Sequence, residues 1–168
     1  LINKNVDAIN ISLAGPANRV VAGAVDWLAD ANVLLIAAVG NEGPFAEPRY
    51  PAAYDRVFGV TAVDRVGRLY SQAGRGPHVD YAGPGVSVDV AESDTSNGFK
   101  TVSGTSYATP LITGLLLAYR EEAGGSLDAL RDRVMVDLID LGEPGRDPLY
   151  GDGLPGKSWM AETLFLSK

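Results

Sequence analysis

Apolar residues in this chain fall into short blocks, each cut off by glycine, proline or asparagine. Ala8-Ile9-Asn10-Ile11-Ser12-Leu13 is a β-rich run closed by Ala14-Gly15-Pro16. It reads as a buried strand followed by a loop. Asn18 is placed to cap a helix in which Val20, Val21, Ala24, Trp27 and Leu28 recur at helical spacing up to Asp30. Residues 33–38 form a continuous apolar strand, stopped by Gly40-Asn41-Glu42-Gly43-Pro44. Strand, helix and apolar strand make a βαβ unit, which predicts a parallel sheet covered by helices. A third strand is expected at 57–63, with shorter ones at 79–82 and 86–90. Asp94-Thr95-Ser96-Asn97-Gly98 reads as a hairpin turn, returning through Phe99-Lys100-Thr101-Val102. A helix then runs from 106 to about 122 and stops at Gly124-Gly125. Ser126 is expected to cap a last helix over 127–138, and 142–168 is again rich in glycine and proline. The expected fold is α/β, a doubly wound, mostly parallel sheet with helices on both faces.

Composition narrows the function more than the fold. The 168 residues are enough for one domain with a core. A net charge of −7 argues against a nucleic-acid surface, because phosphate binding needs clustered Lys and Arg. No apolar run reaches membrane-spanning length. With no cysteine there is no disulfide, thiolate metal site or cysteine nucleophile. Asp137, Asp140 and Glu143 are scattered and lack the spacing of a calcium loop, so no metal site and no cofactor is predicted. Leu1-Ile2-Asn3-Lys4-Asn5 leads almost at once into the first strand, which reads as a cut edge.

Two segments carry the candidate chemistry. Ser103-Gly104-Thr105-Ser106-Tyr107-Ala108-Thr109-Pro110 places a serine hydroxyl at the start of an apolar helix. Free N–H groups and the positive end of the helix dipole collect there and favour negative charge on an oxygen bound beside it, as acyl transfer requires. Val39-Gly40-Asn41-Glu42-Gly43 follows a central strand, and ligand sites in open parallel sheets gather at the carboxyl ends of strands. The Asn41 amide and the Ser106 N–H together would make a two-donor oxyanion hole. The bland alternatives are a helix cap for Ser106 and an ordinary turn residue for Asn41. Glu42 is open between a pocket-rim role and a solvated turn charge.

The chain resembles the C-terminal half of the catalytic domain of subtilisin-like serine proteases. Ile9-Asn10-Ile11-Ser12-Leu13-Ala14-Gly15 resembles the strand lining the substrate cleft, and Ala37-Ala38-Val39-Gly40-Asn41-Glu42-Gly43 the turn carrying the oxyanion asparagine. Tyr50-Pro51-Ala52 resembles the Tyr-Pro pair near the floor of the specificity pocket, often cis. Gly104-Thr105-Ser106-Tyr107-Ala108-Thr109-Pro110 resembles the nucleophile motif, and Val79-Asp80-Tyr81-Ala82-Gly83-Pro84-Gly85 more weakly resembles the turn before it. Together they span roughly residues 6–122.

The resemblance implies that Ser106 is the nucleophile and Asn41 an oxyanion donor. Ser12, Leu13 and Ala14 would form one wall of the S1 pocket and Ala38, Val39 and Gly40 the other. The backbone of Ser12 and Ala14 would pair with an extended polypeptide substrate. In this family the triad runs Asp, His, Ser along the chain. The one histidine, His78, follows Asn41 and reads as a surface turn residue, not the base. The chain is therefore expected to be inactive alone, with the N-terminal half of the same peptidase domain as its partner. Without that half, a bare sheet edge is open to self-association. Family members often bind calcium, but no ligands are identifiable here. The resemblance also implies a secreted or periplasmic location. A catalytically dead domain or a processed half acting as a binding module is the alternative. A sedolisin-type peptidase would have Asp where this chain has Asn41.

Overall fold

The computed structural model describes residues 6–93, 98–125 and 127–160. In chain order, β1 (Ala8–Ile11), α1 (Arg19–Asp30), β2 (Leu34–Ala38), β3 (Phe58–Val63) and β4 (Tyr81–Pro84) are followed by a hairpin, β5 (Val88–Ala91) and β6 (Phe99–Val102). Then come α2 (Thr105–Glu122), α3 (Leu127–Val136), β7 (Leu138–Ile139), β8 (Leu154–Pro155) and the short α4 (Lys157–Met160). β1 to β4 form one parallel sheet in sequence order, with Ala8 opposite Leu34, Ile36 opposite Phe58 and Val60 opposite Tyr81.

Alternation along β2 shows why both faces are covered. Leu34 and Ile36 point to one side, into a core with Ala108, Ile112, Leu116 and Tyr119 of α2 and Leu130 and Val134 of α3. Leu35 and Ala37 point to the other, with Val25 of α1, Ala52 and Val79. Strands buried on both faces need unbroken apolar sequence, which 33–38 supplies.

Asn18 caps α1 as expected, its side-chain oxygen accepting the N–H groups of Val20 (2.9 Å) and Val21 (3.2 Å). Much of the apolar stripe of α1 nevertheless faces outward, although Leu28 packs against the core. Val25 is its buried residue, whereas Val20 is 82% and Trp27 61% exposed. Helical spacing identified the stripe but carried no information on which surface covers it. Predicted strand ends moved by a few residues because pairing register, not apolar content, ends a strand. The turn at 94–97 and the cap at Ser126 lie outside the described residues.

The C-terminal segment folds back onto the sheet, which composition did not foretell. Asp137 is its hub. The carboxylate accepts the Tyr119 hydroxyl, and the N–H (2.7 Å) and hydroxyl (2.6 Å) of Ser158. Burial pushes the Asp137 carboxyl up, but the hydrogen bonds from Ser158 and Tyr119 outweigh it and hold the carboxyl below its usual range. A depressed folded value gives stability that is present above the unfolded carboxylate range, near pH 4, and lost as pH falls through the folded value. Tyr119→Phe is expected to cost about 1.5–3 kcal/mol at neutral pH, the worth of a hydrogen bond to a charged group. Urea unfolding of both forms at pH 7 and pH 3 checks this, with the difference shrinking at the lower pH. A second tie joins Arg146 to Asp80 (2.8 Å) and Asp152 (3.1 Å).

Candidate active site

Asn41 lies three residues beyond β2, and Ser106 is the second residue of α2. The turn before Asn41 depends on Gly40, whose φ is +99° and where a Cβ would lie 2.5 Å from Glu42 Oε2. Glu42 accepts the Asn41 N–H at 2.9 Å, and its carboxylate lies 3.6 Å from Arg49 Nε. It therefore pins the turn and is not a free solvated charge. At the other segment, the Gly104 N–H donates to the Gly85 carbonyl at 2.8 Å. This seats the start of α2 on the end of β4. Gly85 permits the approach, since a Cβ there would fall 2.8 Å from the Gly104 carbonyl oxygen and 2.7 Å from Ala62 Cβ.

The two segments meet. Asn41 Oδ1 accepts the Thr105 N–H at 3.0 Å and the Thr105 hydroxyl at 3.1 Å. No side chain of α2's own N-cap, Gly104, bonds the helix start; Asn41 does so from across the cleft. Among the described residues neither Asn41 Nδ2 nor the Ser106 N–H has a hydrogen-bond acceptor, and Nδ2 lies 3.5 Å from where a Cβ on Gly104, the residue before Thr105, would fall. Thr105 was not singled out in the sequence. Its signal was only its place beside Ser106, because the contact spans 64 residues.

The predicted walls are also brought together. Ser12 is half-buried, and its hydroxyl donates to the Ser106 carbonyl at 2.9 Å. The Ser106 hydroxyl donates to the Ser12 carbonyl at 3.2 Å. Leu13 and Ala14 are exposed, while Ala38, Val39 and Gly40 are buried. Gly15 and Tyr50 exchange backbone hydrogen bonds at 2.9 Å in each direction, so the Tyr50 segment is tied to the end of the first wall. The Tyr50–Pro51 bond is cis.

His78 is half-buried and not on the surface as expected, because its carbonyl packs against Gly59 in the amino-terminal part of β3. Burial pushes its imidazole below the usual value, partly opposed by Asp80. Its Nε2 has no hydrogen-bond partner, and His78 makes no hydrogen bond to Ser106 or Asn41. Among the described residues no group of three or more His, Cys, Asp or Glu is placed to hold a metal ion. No helix among them is long and apolar enough to cross a membrane.

A parallel sheet with helices on both faces, and a serine-bearing helix start at its carboxyl edge, gives this protein a subtilisin-like α/β fold. The profile of the subtilase family, peptidase S8, matches residues 1–153, and the chain belongs to that family. It is 33% identical over 156 residues to the minor extracellular protease Epr of Bacillus subtilis, covering 91% of this chain and 24% of that protein. It is 34% identical over 155 residues to a thermostable alkaline protease of Halalkalibacterium halodurans, covering 91% of this chain and 41% of that one. Among solved structures, a psychrophilic protease S41 superposes with a TM-score of 0.76 at 28% identity, over 89% of this chain and 56% of that one. The chain thus spans well under two thirds of the length of these relatives.

Proposed function

We propose that the protein is a serine endopeptidase and that this chain is the C-terminal part of its peptidase domain. The carrying observation is that Asn41 is joined through Thr105 to the helix start that bears Ser106; in this reading Asn41 Nδ2 and the Ser106 N–H are the two oxyanion donors. In this reading Ser106 Oγ attacks the scissile carbonyl carbon while its proton passes to a base. The two donors hold the resulting oxyanion. The C–N bond then breaks, the base returns the proton to the leaving amine, and water hydrolyses the acyl ester in the same two steps. Base and orienting carboxylate come from the N-terminal half of the domain, as the Asp, His, Ser order of the family requires.

Two features support that partner. Among the described residues β1 is an edge strand of the sheet, and the exposed Val20–Trp27 side of α1 is the apolar surface a neighbouring helix would cover. The substrate is an extended polypeptide entering between the Ser12 and Val39 segments. The extracellular location named for one relative supports export of this protein as well. One observation favours the alternative of a catalytically idle binding module: the Ser106 hydroxyl donates to a carbonyl, and no base within the described residues touches it.

A sulfonyl fluoride separates the two. In the full-length protein, mass spectrometry is expected to place the adduct on Ser106, and the isolated chain is expected to stay unlabelled. An active preparation labelled elsewhere removes the assignment, and rapid labelling of the isolated chain removes the need for a second half.

A further inference from the structure

The carbonyl of Ser106 is at a defect in its helix. In α2 it would accept the N–H of residue 110, but residue 110 is proline and has none to give. The Ser12 hydroxyl fills the vacancy at 2.9 Å. Asn10 in turn orients that hydroxyl, its Nδ2 donating to Ser12 Oγ at 3.1 Å, and Asn10 Oδ1 lies 3.3 Å from the Thr113 hydroxyl further along α2. The return bond from the Ser106 hydroxyl to the Ser12 carbonyl is 3.2 Å, long for an O–H···O contact. The firm link is therefore to the backbone of Ser106, and its reactive hydroxyl is only lightly held.

We propose that Ser12 is a positioning residue for the nucleophile, acting through the carbonyl that Pro110 leaves without a donor. The inference rests on the peptidase reading of Ser106. The peptide plane before Thr105 is anchored by Asn41 Oδ1, and the plane after Ser106 is anchored by Ser12 Oγ. Between them the Cα–Cβ direction of Ser106 and its N–H are fixed relative to Asn41 Nδ2. Loss of the Ser12 hydroxyl frees the second plane, so the nucleophile and one oxyanion donor lose their shared register. The effect falls on the transition state, because the cleft walls that bind the peptide remain.

The test uses the full-length protein and a chromogenic peptide. Ser12→Ala is expected to lower kcat by about 10- to 100-fold with KM changed less than about twofold. Adding Pro110→Ala to that variant supplies the missing N–H within the helix, and kcat is expected to return to within about threefold of the parent. A role in stability alone would not produce that rescue. Ser12→Cys, with a weak donor of similar shape, is expected to fall between Ser12→Ala and the parent, and it serves if Ser12→Ala does not fold. A parent-like kcat in Ser12→Ala or Ser12→Cys, or no rescue by Pro110→Ala, overturns the proposal while labelling of Ser106 leaves the peptidase reading standing. A parent protein that neither cleaves nor labels overturns both.

Discussion

Asn41→Ala is expected to lower kcat of the full-length protein by about 10²–10³ and to leave KM nearly unchanged, a magnitude taken from subtilisin itself, the reference case for loss of one such donor. The local reason is the division of labour within the amide. Oδ1 is bound twice by Thr105, so Nδ2 is presented without needing to be ordered at the moment of reaction. An amide that had to find its orientation would give back part of the stabilisation as entropy. Asn41→Asp is the sharper control. Its carboxylate would still accept from Thr105 but would present negative charge to the developing oxyanion, so it is expected to be at least as damaging as alanine. Steady-state kinetics on one peptide decides the matter, and a loss carried by KM would show that Asn41 binds substrate and transition state alike. Asn41→Ala also loses the cap of α2 that Asn41→Asp keeps, so thermal unfolding should accompany the rates; a lost cap costs about 1 kcal/mol.

Ile112→Ala is expected to produce the largest loss of stability. Ile112 is fully buried on α2, and its side chain fills the space above Gly83 of β4, where a Cβ would come within 2.8 Å. Truncation there opens a cavity between the helix that carries Ser106 and the strand beneath it. Substitutions of this kind cost about 2–5 kcal/mol, out of the roughly 5–15 kcal/mol that holds a domain folded. At about 2–4 °C per kcal/mol for a domain of this size, the transition should fall by roughly 4–20 °C. Calorimetry of the full-length protein measures it, and a shift of less than about 2 °C would mean that α2 relaxes into the gap.

What the sequence made legible follows from how local each signal is. The unbroken apolar run at 33–38 and the glycine stops around it are local, and β2 formed where they predicted. Asn18 is a local cap, and it caps. Ser106 and Asn41 were found because each has a distinctive neighbourhood, and the structure brings those neighbourhoods together through Thr105. The outward face of α1 was not legible, since periodicity gives a stripe and not its cover. Nor was Asp137, which looked like one of three scattered carboxylates until Tyr119 and Ser158 closed on it from either side in the chain. His78 was misplaced for the same reason: a Gly/Pro turn suggests the surface, but the close approach to Gly59 that draws it inward is visible only in three dimensions.

Asn41 holds the start of α2 through its oxygen, and in the peptidase reading its nitrogen serves the oxyanion. Selection for a folded domain would thus keep this residue even in a descendant that had abandoned proteolysis. Across diverging lineages, its retention would testify to architecture before it testified to activity. At 106 the fold asks for much less, since the hydroxyl's own contact, with the Ser12 carbonyl at 3.2 Å, is a long one.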